Sequence, residues 1–236
     1  MISIILPTYN EVNNIKPLIN KIITALAGHK LEIIVVDDDS PDKTWQVVKN
    51  MQKKYPQVKL FRRINQIGLT SAFNYGIKKS QGQIIGWMDT DLSHPPELLK
   101  NMIKFLPQYD VVITSRYLPG GKDKRRNRLA VILSYILHLL AKLSLGGYIT
   151  DYTSGYILAK KKLFKNFTLK GDYGEYFIDM IYKFDQSNFK IKEIPYICKP
   201  RTQGESKTAT NIFGFIKRGR KYLYVIFQLW LKKLFS

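Results

Sequence analysis

Short apolar runs alternate with helical patterns along the first half of this chain, and that alternation limits the folds open to it. Residues 2–6, 32–37, 58–62, 83–88 and 110–114 read as strands. Residues 12–27, 44–54, 69–80 and 97–106 carry helical spacing, the last opening at the Pro95–Pro96 pair. The run EIIVVD at 32–37 is apolar almost throughout, as a strand covered on both faces must be. Strands separated by helices imply an α/β fold: a doubly wound, mostly parallel sheet flanked by helices, with right-handed crossovers. Ligands of such sheets sit at the carboxyl ends of the strands.

Those ends carry acid. Pro7-Thr8-Tyr9-Asn10-Glu11 follows the first strand, Asp37-Asp38-Asp39-Ser40-Pro41-Asp42 the second, and Asp89-Thr90-Asp91-Leu92-Ser93-His94 the fourth. Any one cluster is equally a solvated turn or a helix cap. Two such clusters on one sheet, in a chain with 38 Lys and Arg against 18 Asp and Glu, are harder to explain so. Alternate residues of an extended segment point the same way, so Asp89 and Asp91 can face one site. Mg²⁺ and Mn²⁺ prefer such oxygen ligands and commonly bridge carboxylates to substrate phosphates.

The net charge of +20 requires a polyanionic partner: nucleic acid, or an anionic membrane with anionic substrates. A nucleic-acid-binding module is the rival from another class. It explains the charge but not the acidic strand ends, which repel a phosphate backbone, and no zinc-finger or RNP-like signature is present. A metal-dependent nucleotidyltransferase is a second rival. A dinucleotide-binding dehydrogenase is disfavoured because no G-x-G-x-x-G follows the first strand. The lone Cys198 excludes a disulfide framework and a cysteine-based zinc site.

The second half brings a basic loop, GGKDKRRNR, at 120–128, then an apolar helix over about 127–145. Ser134, His138 and Lys142, spaced by four, form its polar stripe; it is either a core helix with one solvated edge or a helix lying in a membrane interface. Neither it nor 222–231 is a convincing transmembrane span, and the amino terminus reads as a strand, not a secretory signal. A helix is expected at 175–184, where Glu175 and Asp179 stay open between a solvated face and a function, and a last strand at 191–196. The tail from 208 to 236 mixes Lys217, Arg218, Arg220, Lys221, Lys232 and Lys233 with aromatic residues, a composition suited to a headgroup region. One domain is therefore expected over 1–207, with a basic amphipathic, membrane-associating tail at 208–236.

The ordered motifs PTYNE, DDDSPDKT, NQIGLTSAFNYG, DTDLSHPPE, SRYLPGG, DYTSGY and RTQGESK resemble those of the family 2 glycosyltransferases of the GT-A fold. Within that family they are most similar to the polyprenyl-phosphate hexosyltransferases, such as the dolichyl-phosphate mannose synthases. The resemblance implies that Pro7, Tyr9 and Glu11 hold the nucleotide base and ribose, with Asp38 or Asp39 beside them and Asp37 an alternative. It implies a nucleotide-sugar and metal site at Asp89 and Asp91. Ser93 stands as third metal oxygen where the family commonly has Gln, and Lys43 stands where it commonly has Gly. Arg116 and Ser134 would hold an acceptor phosphate with a second arginine, for which Arg125, Arg126 and Arg128 compete; Asp91, Arg116 and Arg128 form the expected catalytic set. Arg201 and Lys207 would close on the donor phosphates.

The implied reaction is inverting transfer of a hexose to a polyprenyl or dolichyl phosphate, with Mg²⁺ or Mn²⁺, at the cytoplasmic face of a membrane by peripheral attachment. GDP-mannose is the first choice of donor and UDP-glucose or another UDP-sugar the alternative. An oligomer or a membrane partner subunit is left open. A phosphate monoester has a second pKa of about 6, so the nucleophile is already ionised near neutrality and no strong base is needed.

Overall fold

The computed structural model describes residues 1–203 and 212–235. Strand β1 (Ile2–Thr8) leads through α1 (Val12–Ala25) to β2 (Leu31–Asp37), α2 (Thr44–Lys54), β3 (Val58–Arg62), α3 (Leu69–Lys79) and β4 (Ile84–Trp87). A 3₁₀ turn at Pro96–Leu98 then precedes α4 (Leu99–Phe105), dividing the single helix expected at 97–106. Next come β5 (Val111–Ser115), the two-residue β6 (Lys122–Asp123), α5 (Arg128–Leu145), β7 (Ile157–Lys160), α6 (Glu175–Gln186), β8 (Ile191–Pro195), β9 (Ile197–Cys198) and α7 (Ile212–Leu234).

Among the described residues seven strands form one sheet in the order β3-β2-β1-β4-β7-β5-β8. All neighbours are parallel except β7, which runs antiparallel between β4 and β5. This strand was not among the expected elements. It inserts where β4 would otherwise meet β5, and Leu158 fills the space above Gly86, where a Cβ would collide with the Leu158 side chain and the Ile157 carbonyl. The chain reaches α5 and returns before β7 forms, so the basic loop and the apolar helix are carried on a connection between adjacent central strands.

Two apolar cores cover the sheet. One face packs Ile15, Leu18, Val48 and Met102 of α1, α2 and α4. The other packs Phe73, Phe177 and Met180 of α3 and α6 together with Ala141 and Leu145 of α5 and Ile226 and Leu229 of α7. The tail helix is thus docked on the domain along one side. Its amino-terminal half lies on the loop before α6, with Arg218 4.4 Å above the Tyr173 ring and Lys221 paired with Asp172. At the other end Lys233 Nζ donates to the Leu145 carbonyl at 2.8 Å. The β6–β9 pair ties the basic loop to the segment after β8, bringing residues 122–128 and 199–203 to the same edge of the molecule.

Candidate active site

The carboxyl ends of β1, β2 and β4 meet as the sheet rule requires, but the four acids of the β2 turn have different tasks. Asp37 is fully buried and accepts from Thr8 Oγ1 (2.7 Å), Ser40 Oγ (2.7 Å) and Ser40 N (2.9 Å). Asp38 accepts from Arg63 Nε at 2.7 Å and from Gly68 N at 2.8 Å, and the pair is buried. Asp42 accepts from Val12 N (3.0 Å) and Thr44 N (2.9 Å), fixing the starts of α1 and α2. Asp37 and Asp38 thus tie the turn after β2 to Thr8, Ser40, Arg63 and Gly68. Asp39 alone of the run from 37 to 39 opens outward. Its backbone is left-handed (φ 53°), and its carboxylate accepts from Arg62 Nε at 2.5 Å while the Arg62 guanidinium lies 3.8 Å from the Trp45 ring.

Pro7 and Tyr9 are half-buried at the β1 end, and Thr90 Oγ1 donates to the Pro7 carbonyl at 3.4 Å, joining that end to the Asp89–Asp91 turn. Asp89 has its side chain 58% exposed. Crowding by the protein around its other sides raises its pKa; His94 opposes the shift, Asp91 adds to it, Arg125 opposes it and Glu11 adds to it. Asp91 accepts from Ser93 N at 3.0 Å and from Arg201 Nη1 at 3.4 Å. Ser93 is buried, and its carbonyl accepts from Lys199 N at 2.9 Å.

Glu11, also buried, accepts from Arg201 Nη2 at 2.7 Å on both oxygens and from Asn14 Nδ2 at 2.8 Å. Among the described residues no three acidic, histidine or cysteine side chains converge as a metal cluster. Two hard carboxylates with a guanidinium already seated on one of them still fit a divalent ion that completes its shell with substrate oxygens.

His94 was not expected here. Its Nδ1 accepts from Asp89 N at 3.0 Å, its ring stacks 5.0 Å from Tyr156, and Tyr196 meets it edge-on. An Nδ1 that accepts leaves the proton on Nε2, which lies 3.9 Å from Asp89 Oδ2. His94 therefore sets the turn that presents Asp89. A lone histidine three residues beyond a carboxylate pair gives no sequence signal of that task.

Within electrostatic reach of Asp89 lies an arginine network. Arg116 is buried, and all five of its N–H groups face acceptors. Nε and Nη2 take the two oxygens of Asp151 at 2.8 Å each, Nη2 also takes Thr153 Oγ1 at 2.5 Å, and Nη1 takes Asp123 and Ser134 Oγ at 3.2 Å each. The side chain holding Ser134 and the basic loop in place is thus itself saturated. Arg125 shares Asp123, with Nη2 2.6 Å from Oδ2, but its Nη1 has no partner among the described residues, and its charge reaches Asp89. Arg126 and Arg128 are exposed and reach none of these groups. Behind the network Glu193 accepts from Thr150 N (2.8 Å) and Asp151 N (3.1 Å); burial pushes its pKa up to about 7, although the Thr150 bonds oppose the shift. Glu175 is buried and receives the amides of Asp172 and Tyr173, and Asp179 pairs with Lys183 at 2.6 Å, so both serve α6 and its approach. Lys207 lies outside the described residues.

Of the expected polar stripe of α5, Ser134 and His138 face inward and Lys142 is exposed. Ser134 meets Arg116, and His138 is buried against Tyr117 with ring centroids 4.5 Å apart. The apolar side faces outward, with Ile132, Ile136 and Leu143 exposed; beside it α7 exposes Tyr224, Phe227 and Trp230. Over its 18 residues α5 has a mean hydropathy of 1.6, long and apolar enough to cross a membrane.

The family model described as glycosyl transferase family 2 matches residues 3–168. A dolichol-phosphate mannosyltransferase of Pyrococcus furiosus is 34% identical over 220 residues, covering 92% of this chain. The chain spans 62% of that relative's length. A dolichol-phosphate mannosyltransferase of Saccharomyces cerevisiae is 30% identical over 234 residues, covering 94% of this chain and 86% of that one. Among solved structures, a glucosyl-3-phosphoglycerate synthase of Mycobacterium tuberculosis, in complex with Mn²⁺, UDP and phosphoglyceric acid, superposes with a TM-score of 0.71 at 17% identity. That match covers 98% of this chain and 78% of the other, a likeness of fold.

Proposed function

The chain belongs to glycosyl transferase family 2, and from that premise we propose that it transfers a hexose, mannose from GDP-mannose in the first instance, to a polyprenyl phosphate. The observation that carries this reading is the pairing of two sites at one strand edge: the carboxylates Asp89, exposed, and Asp91, partly covered by Arg201, and beside them the arginine network of Arg116 and Arg125, whose Arg125 charge reaches Asp89. Relatives named for dolichol-phosphate mannose transfer support the choice of acceptor and sugar.

An oxygen of the lipid phosphate attacks C1 of the sugar, the bond from C1 to the diphosphate breaks, and the nucleoside diphosphate leaves with the electron pair. The phosphate is largely ionised near neutral pH, so the protein's work is to position two anions and balance the leaving charge. Asp89 and Asp91 would hold Mg²⁺ or Mn²⁺, which when bound neutralises the diphosphate. Arg201 serves the same phosphates from the opposite side. Arg125, with Nη1 uncommitted, contacts the acceptor phosphate, while Arg116 and Ser134 fix the loop from which it projects. Arg forks suit phosphate because they donate two parallel hydrogen bonds. Attack opposite the leaving group inverts C1, so an α-linked donor yields a β-linked lipid-phosphate sugar.

The outward apolar faces of α5 and α7, with basic residues at their margins, lie in the plane of an anionic bilayer and bring the arginine network to the headgroup level. Transfer of radiolabel from a panel of GDP- and UDP-sugars to a short polyprenyl phosphate, with and without Mg²⁺ or Mn²⁺, tests the reading. Metal-dependent label in the lipid phase from GDP-mannose is expected; label from no member of the panel overturns it.

A further inference from the structure

A cavity of about 1290 Å³ lies at the end of the sheet away from the acids. It opens where β4 begins at Ile84 and the antiparallel β7 ends at Lys160, between the carboxyl ends of α3 and α4. Asp89 and Asp91 follow the other end of β4, so this cavity is no part of the donor site. Its floor is apolar, lined by Ile84, Leu106, Phe164 and Phe167. The floor is fixed from behind: Phe164 packs on Trp87 and Phe184 with ring centroids 5.7 and 5.6 Å apart, and Phe167 on Phe184 at 5.1 Å. One wall is fixed as well. Asn74 Nδ2 donates to the Leu169 carbonyl at 2.9 Å and Leu169 N donates back to Asn74 Oδ1 at 3.0 Å, which holds the segment after β7 against α3.

The rim is basic. Among the described residues that line the cavity five are lysines, Lys78, Lys160, Lys161, Lys162 and Lys165, and none is acidic. Asp110 accepts from Lys160 Nζ at 2.9 Å and lies 3.9 Å from Lys162 Nζ. Lys161 Nζ donates to the Ser80 carbonyl, and Lys161 N to the Gln83 carbonyl at 2.7 Å. Lys78 and Lys165 are exposed, with no ion pair among the described residues. One carboxylate thus faces five cations gathered around an apolar floor. The floor suits a hydrocarbon body and the rim an anionic head, and lysine stems can lie along the body while their ammonium groups reach the head. A bare phosphate leaves the floor wet, a neutral hydrocarbon leaves the rim unbalanced, and a nucleic-acid backbone would use the rim without the floor.

We propose that this cavity is a second binding site, for a single-chain anionic lipid whose chain lies on the Ile84, Leu106, Phe164 and Phe167 floor and whose phosphate head meets Lys78, Lys161 and Lys165. Rim and floor select it jointly. Because the cavity and the donor acids lie at opposite ends of β4, the lipid does not compete with the nucleotide sugar.

The test is photolabelling of the full chain with dodecyl phosphate that carries a diazirine near the end of its chain, below its micelle concentration and at constant ionic strength. Labelled peptides are expected from 74–84, 103–107 or 160–168. Label confined to α5, α7 or residues 116–128 overturns the proposal. Plain dodecyl phosphate is expected to protect the cavity at concentrations about tenfold lower, or more, than dodecyl maltoside or inorganic phosphate. Equal protection by the neutral detergent removes the role of the rim, and equal protection by inorganic phosphate that of the floor; either result overturns the proposal. Lys78→Gln with Lys165→Gln is expected to weaken labelling of the cavity about tenfold or more. Both side chains are exposed, so the fold, read by circular dichroism, is expected to stay unchanged. Undiminished labelling in this variant also overturns the proposal. Stronger protection by a poly-glutamate peptide than by dodecyl phosphate assigns the cavity to an acidic protein partner and overturns the lipid. Sugar transfer enters none of these readouts, so loss of the transfer reading leaves this inference standing, and the reverse holds too.

Discussion

At the scale of single residues, the acceptor side depends on charges that are buried and matched. Asp151 neutralises Arg116 within the protein, so Asp151→Asn leaves a buried guanidinium short of its partner and is expected to cost about 3–5 kcal/mol, read as a lower thermal midpoint. Arg125 is different: half-buried, with an uncommitted Nη1 and with Arg116 left on Asp123 in its absence, it is expected to lose less stability on Arg125→Gln than Asp151→Asn loses. KM for polyprenyl phosphate should rise about tenfold or more while KM for the nucleotide sugar stays unchanged. Glu193 supplies a pH dependence. Its folded pKa of about 7 lies above the ordinary value of 4.5, so the folded protein holds a proton there that the unfolded chain releases. Its contribution to stability is full below pH 4.5 and is lost as pH rises through 7. Thermal midpoints of the wild type are expected to fall between about pH 4.5 and 7, and Glu193→Gln to flatten that part of the profile. The acids at the end of β4 were legible in the sequence because Asp89 and Asp91 alternate after an apolar run. The tasks of Asp37 and Asp38 were not, because they depend on Thr8 and Arg63, which lie 29 and 25 positions away.

At the scale of elements, the parallel strands and their helices were legible from periodicity nearly to the residue; α2 and β3 fall on the expected bounds. Strand β7 was hidden because four residues ending at Lys160, the first of three lysines, leave no period to read, and its close packing on β4 depends on Gly86 leaving room for Leu158. Gly86→Val is therefore expected to force β4 and β7 apart at a cost of about 1–3 kcal/mol, measured by denaturant unfolding. The α5 stripe of Ser134 and His138 was legible as a stripe, but sequence alone did not say that it faces the protein. That orientation follows from Arg116 and Tyr117 awaiting it at the end of β5. It leaves the apolar side outward, and so Phe227→Ser with Trp230→Ser is expected to weaken co-sedimentation with anionic vesicles while leaving the fold, measured by circular dichroism, unchanged.

At the scale of the whole molecule, the charge of +20 is distributed by task. Acids gather where strands β1, β2 and β4 end. Basic residues gather on the 122–128 loop, on the 199–203 strap and along α7, all brought beside the same edge or the same apolar faces. Each Lys or Arg near an anionic surface contributes about 1 kcal/mol, and the tail cations not engaged with the domain, Lys217, Arg220 and Lys232, are exposed, so their neutralisation is expected to weaken co-sedimentation with anionic vesicles. The central claim is that Asp89 and Asp91 serve a donor diphosphate whose sugar passes to a lipid phosphate held opposite. It is tested most directly by the rate of radiolabelled mannose transfer from GDP-mannose to a polyprenyl phosphate at saturating Mn²⁺, wild type beside Asp91→Asn. The wild type is expected to label the lipid and Asp91→Asn to do so about a hundredfold more slowly or worse; a near-wild-type rate in Asp91→Asn would contradict the account.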